Sequence, residues 1–158
     1  MAIETERKFL VKGDGFKQQA SKSIRIKQGY LSSNPLRSVR IRITSEKAFL
    51  TIKGPSSADG MSRFEWEKEI NVSEADSLLE LCEEGKIDKI RHNIVVGKHV
   101  FEVDEFLGEN QGLLIAEIEL NSADEHFEIP NWLGKEVTGE QKYYNSSLSR
   151  TPFKTWRT

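Results

Sequence analysis

Charged residues of like sign stand two apart in segment after segment of this chain. Glu4 and Glu6 lead into Lys8, Arg40 is followed by Arg42, Glu65 by Glu67 and Glu69, Lys89 by Arg91, Glu102 by Asp104, and Glu117 by Glu119. The positions between them are mostly apolar: Val39, Ile41 and Ile43 around the arginines, Phe64, Trp66 and Ile70 around the glutamates, then Ile90, Phe101, Val103, Ala116, Ile118 and Leu120. A spacing of two is the period of a β-strand, whose side chains alternate between faces. The chain is thus dominated by strands with one apolar and one charged face.

Eight segments carry that period: Ile3–Val11, Ser23–Leu31, Ser38–Thr44, Ala48–Lys53, Phe64–Asn71, Lys86–Val96, His99–Phe106 and Leu113–Leu120. Strands that succeed one another through short turns favour an antiparallel sheet, and eight of them can close into a barrel. Helices are fewer. Ser73–Glu84 has Ala75, Leu78, Leu79 and Cys82 on one face, a capping-box-like Ser73/Asp76 start and Gly85 as its stop. Shorter helices are predicted over Gly15–Lys22, over Ser122–Phe127 before Pro130, and over Thr138–Ser149. The expected fold class is α+β: an eight-stranded antiparallel β-barrel with flanking short helices, residues 1–158 forming one domain.

Composition narrows the class. The 158 residues carry 23 Lys and Arg against 25 Asp and Glu, a net charge of −2, which argues against a chain that coats nucleic acid. An apolar share of 37% can supply a core at this length, and the lone Cys82 excludes both a disulfide framework and a cysteine zinc site. No apolar run approaches the ~20 residues of a membrane span, and the start MAIETERKFL has no signal-peptide core. The expectation is a cytoplasmic protein with neither membrane nor nucleic-acid partner. His92, His99 and His126 show no ligand spacing, and Trp66 and Trp132 read as packing residues.

The charged face of a single antiparallel strand ordinarily meets solvent. Here, however, some strands offer only cations and others only carboxylates, whereas plain surfaces intersperse the signs. If the strands close with these faces inward, the lumen must be wet and must hold a ligand, because unpaired buried ions cost several kcal/mol each. Lys8, Arg40, Arg42, Lys53, Lys89 and Arg91 then call for a polyanion, since Arg forks match phosphate oxygens and Lys supplies point charges. Clustered carboxylates call for a hard cation with oxygen ligands, Mg²⁺ or Mn²⁺. A site that wants both suits phosphoryl transfer or phosphate hydrolysis.

The ordered motifs resemble a known family. Glu4-x-Glu6-x-Lys8 is similar to the ExExK signature of CYTH proteins, the triphosphate tunnel metalloenzymes. Gln28-Gly29-Tyr30-Leu31, Arg40-x-Arg42, Thr51-Ile52-Lys53-Gly54, Glu65-x-Glu67, Lys89-x-Arg91, Val103-Asp104-Glu105-Phe106, Ala116-Glu117-Ile118-Glu119-Leu120 and Tyr144-Asn145-x-x-Leu148 follow in the family's order. The resemblance spans nearly the whole chain. It implies a tunnel that binds triphosphate lengthwise, and hydrolysis of inorganic tripolyphosphate, with nucleoside triphosphates as further substrates. Class IV adenylyl cyclases belong to the same family but often carry a His-Phe start upstream of ExExK, which is absent before Glu4 here. A non-catalytic polyphosphate-binding module is the remaining alternative, although it would have no need of the acid pairs.

On that resemblance Glu4, Glu6, Glu117 and Glu119 are assigned to one or two Mg²⁺ or Mn²⁺ ions, with Glu65, Glu67 and Asp104 as further or more distant ligands. Arg40, Arg42, Lys53, Lys89 and Arg91 would bind the phosphates, and Lys8 would sit beside the acids and touch one. Tyr30 is assigned as a proton acceptor. A free Tyr titrates near pH ~10, so positioning substrate or gating the tunnel is an equally physical role. The basic, amphipathic tail from Ser149 is expected to plug one mouth, and the outer apolar faces to be covered by helices or by a second subunit.

Overall fold

A computed structural model describes residues 2–156. Its strands are β1 (Ala2–Val11), β2 (Lys22–Ser32), β3 (Ser38–Thr44), β4 (Lys47–Ser56), β5 (Ser62–Ile70), β6 (Ile87–Val96), β7 (His99–Phe106), β8 (Leu114–Leu120) and β9 (Leu133–Glu136). The helices are α1 (Val72–Glu80) and α2 (Asn145–Arg150), with 3-10 turns at Gly15–Gln19, Gly108–Asn110, Gln141–Tyr143 and Phe153–Thr155. All pairings are antiparallel, in the order β5-β4-β3-β2-β6-β7-β8-β1, and β1 pairs with β5 to close an eight-stranded barrel. β1 makes this possible by sharing one edge between two partners. Its residues 2–5 pair with β5, residues 9–11 pair with β9, and the opposite edge carries β8.

Alternation then sorts the side chains as the sequence predicts: charges into the lumen, apolar groups outward. The principal hydrophobic core therefore lies outside the barrel. Phe9, Phe101, Val103, Ala116 and Ile118 are covered by Phe16, Phe127, Trp132 and Leu133 from the turns and the C-terminal stretch. Ile41 and Ala48 are covered by Ala75, Leu79 and Cys82, which α1 and the turn after it lay across β2, β3 and β4. A third cluster closes one end. There the lumen-facing positions turn apolar at Ile87, Phe106 and Ile115, and Leu148 of α2 and Tyr143 pack against them, backed by Phe153 and Trp156. The plugging segment thus includes Tyr143 and α2, upstream of Ser149.

Several local expectations are corrected. Ser122–Phe127 is not helical. One turn forms, closed by the Glu125 N–H donating to Ser122 O at 3.2 Å, and the chain then runs on to Pro130 without a helix. Thr138–Ser149 is not one helix. Gly139 has φ +80°, and Gly60 approaches so closely that a Cβ on it would lie 2.5 Å from Gly139 Cα, so the chain turns before α2 can start. The cap of α1 is Asn71, whose side chain accepts from Ser73 N at 2.8 Å, and the helix ends at Glu80. Gly85 serves a different purpose: at φ +85°, a Cβ there would sit 1.7 Å from Ser149 O, so the glycine admits the end of α2. Strand β9, at four residues, is too short to show a period in the sequence. Trp66 packs less than expected and is 41% exposed on the outer face of β5, opposite Ile52 of β4. Among the described residues no helix is long and apolar enough to cross a membrane.

Candidate active site

The lumen holds a cavity of about 240 Å³ to which every barrel strand contributes. Register explains how. Glu6 lies opposite Glu119 and Lys8 opposite Glu117 across β1 and β8, while Glu102 of β7 faces Glu117 from the other side. Arg40 lies opposite Tyr30 and Thr51, and Lys53 opposite Glu65. Carboxylates from β1, β5, β7 and β8 and cations from β1, β3, β4 and β6 therefore face one cavity.

The two signs interlock where the walls meet. Lys53 Nζ donates to Glu4 Oε1 at 2.6 Å and lies 3.5 Å from Glu65 Oε2. Arg63 Nε approaches Glu4 Oε1 at 3.6 Å, and Lys8 Nζ lies 3.6 Å from Glu117 Oε1. Arg40 Nη2 donates to Thr51 Oγ1 at 3.1 Å, and that hydroxyl donates to Glu67 Oε2 at 2.7 Å. Tyr30 is buried against the cavity.

Lys89 and Asp104 sit deeper than the lining, 0% and 1% exposed. Asp104 Oδ1 accepts from Arg91 Nε at 2.8 Å, and its Oδ2 accepts from Arg91 Nη2 at 2.9 Å and from Lys89 Nζ at 2.7 Å. Arg91 itself reaches the cavity, 3.4 Å from Glu102. Burial works against the Asp104 carboxylate, but Arg91 and Lys89 outweigh it and hold the group down at about 2.

Elsewhere the lumen is electrostatically strained. Burial, then the neighbouring Glu117 and Glu4, push the Glu6 carboxyl up to about 8 against the pull of Lys53 and Lys8. Burial, then Arg40 and Arg91, pull the Arg42 guanidinium down to about 9. The first stress is relieved by a cation and the second by an anion. Glu6 makes no ion pair among the described residues, and the donors around it are carboxylate oxygens, the set that suits a hard divalent ion. Glu4, Glu6, Glu117 and Glu119 fit that role chemically. No three acidic or His groups among the described residues are already drawn into a ligand cage, and Glu4 is engaged by Lys53 and Arg63.

The structure adds cavity-lining residues to which the sequence assigned no role, although Thr51, Tyr144 and Asn145 lie within the family-like motifs. Arg63 follows the alternation that exposes Glu65 and Glu67 and could have been found by it. Glu102, on the same face as Asp104, lines the cavity opposite Glu117. Ser38 and Thr51 are too small and neutral to stand out, and Tyr144, Asn145 and Ser146 arrive from the start of α2, where strand periodicity gives no signal.

Comparison with known proteins agrees with this geometry. The model of the CYTH domain matches residues 2–152. A protein of Acetivibrio thermocellus named inorganic triphosphatase is 46% identical over 158 residues, 99% of each chain. Another of that name, from Nitrosomonas europaea, is 34% identical, covering 92% of this chain and 96% of its own. The crystal structure of an inorganic triphosphatase superposes with a TM-score of 0.65 at 31% identity, over 92% of this chain and 97% of that one. A closed antiparallel barrel lined by ExExK, RxR and paired acids, matched by the family's model along almost its whole length, places this chain in the CYTH domain family.

Proposed function

We propose that the protein hydrolyses inorganic tripolyphosphate to pyrophosphate and orthophosphate with Mg²⁺ or Mn²⁺, and that nucleoside triphosphates are further substrates. The observation that carries this reading is the meeting of two unlike charged walls in one cavity of about 240 Å³, strained on the acidic side and on the basic side at once. The names of the full-length relatives support the same reaction.

Arg40, Arg42, Lys53 and Arg91, with Lys8 and Arg63 beside the acids, grip the phosphate oxygens and stabilise the charge that develops as the terminal P–O bond breaks. Lys89 contributes from beneath by holding Asp104, which in turn orients the Arg91 fork. Glu4, Glu6, Glu117 and Glu119 would hold the divalent ion, with Glu65 and Glu67 close by. When bound, such an ion neutralises phosphate oxygens and acidifies a water. Tyr30, buried against the cavity beside Arg40, would position the phosphate chain.

The test is product analysis. The protein is incubated separately with tripolyphosphate and ATP, each with Mg²⁺ or Mn²⁺. Orthophosphate release from tripolyphosphate is expected. Pyrophosphate with a cyclic nucleotide from ATP would instead make it a cyclase, and tight binding without turnover a binding module.

A further inference from the structure

The first residue of α2 touches the deepest cation of the lumen. Lys89 Nζ donates to Asn145 Oδ1 at 2.9 Å, and Gln28 Nε2 donates to the same oxygen at 3.2 Å. An ammonium has no acceptor, so the amide atom facing it must be oxygen. The orientation of Gln28 is fixed in the same way, because its Oε1 accepts from Arg42 Nε at 2.7 Å, and a guanidinium also only donates. The Gln28 amide, oriented by Arg42, fixes the Asn145 oxygen on the barrel wall, and Lys89, which burial pulls down to about 7, donates to the same atom as an ammonium. The other end of a planar amide must then point away from it. Asn145 lines the cavity, and its Nδ2 makes no hydrogen bond among the described residues yet is not sealed from the open space.

We propose that Asn145 is a substrate-binding residue whose Nδ2 donates to an oxygen of the phosphate chain, and that Lys89, wholly buried behind it, is the positioning residue that aims this amide. The inference rests on the reading that the cavity holds a phosphate chain. It extends the grip on substrate beyond the barrel strands to α2, which carries Leu148 into the apolar plug. Substrate contact and closure of that end therefore reside on one short helix.

Asn145→Asp separates this role from a structural one. The carboxylate has the same shape, still accepts from Lys89 and Gln28, and gives Lys89 a second counter-charge. It replaces a donor toward the phosphates by an acceptor. The expected result is a Tm without ligand at or above that of the parent, with KM for tripolyphosphate raised tenfold or more, about the weight of a hydrogen bond to a charged partner. An unchanged KM in a folded variant would overturn the proposal. A direct reading comes from the ¹⁵N-labelled parent titrated with tripolyphosphate in EDTA, following the Asn145 side-chain amide and the Arg42 Nε–H. Both resonances should move. Movement of Arg42 alone would refute the role of Asn145 and leave the phosphate cavity standing; movement of neither would refute both.

Discussion

Replacing Asp104 by Asn is the sharpest test of how the lumen is held together. The side chain is fully buried, and both its oxygens are engaged, by two bonds from Arg91 and one from Lys89. Asparagine keeps the shape, removes the charge and turns one acceptor into a donor that faces other donors. The net preference of this environment for the ionised form, a fall from 3.8 to about 2, corresponds to about 2 kcal/mol. Removing one partner of a buried ion pair typically costs about 3–5 kcal/mol, and the larger figure governs because the substitution leaves Lys89 with no ion pair among the described residues and Arg91 with Glu102 alone. At about 2–4 °C per kcal/mol for a chain of this size, Tm should fall by roughly 6–20 °C. The assay is urea and thermal unfolding in EDTA, with and without tripolyphosphate. Because a polyanion supplies the missing negative charge, the variant should gain more Tm from tripolyphosphate than the parent does. The parent has its own signature. A depressed carboxyl stabilises the fold above pH 3.8, and that contribution drains away as pH falls through about 2. A loss below about 1 kcal/mol, or equal gains from tripolyphosphate, would refute this account.

Glu6→Gln should abolish metal-dependent turnover and, in EDTA near pH 8, raise Tm, since it removes a buried charge crowded by Glu117 and Glu4; activity retained at saturating Mg²⁺ would count against Glu6 as a ligand. Arg42→Ala should raise KM and lower kcat together, as expected where one guanidinium both grips phosphate and stabilises developing charge; a change in Tm alone would make it structural. Gly85→Ala should destabilise by about 2 kcal/mol or more and reduce activity in step, because its Cβ would displace Ser149 O and with it α2, as unfolding and turnover measured side by side would show.

The barrel was legible because its logic is local. Alternation told which way Arg42 or Glu117 points, and eight segments with that pattern left few ways to arrange them. Depth was not legible. Lys89 and Arg91 share a strand face, yet Arg91 reaches the cavity while Lys89 lies beneath it, a difference set by how the strands tilt and by what α2 lays over them. Helix ends were also opaque. Asn71 rather than Ser73 caps α1, and the turn at Gly139 depends on Gly60, far away in sequence. Asn145 stood in the family-like Tyr144-Asn145-x-x-Leu148 motif, but in a segment expected to be helix interior, so its pattern gave it no role as a wall of the site.

Turning the barrel inside out, with grease on its exterior and salt within, divides labour between two sets of positions that seldom touch. The packing that keeps Phe9, Phe101, Ile118 and Trp132 together makes no demand on which charges face the lumen. Substitutions in the channel can thus alter chemistry while the scaffold keeps its shape, and changes to the mantle can toughen the scaffold without disturbing the chemistry. The exception is the plugged end, where α2 belongs to both sets, and there the two kinds of change cannot be made independently.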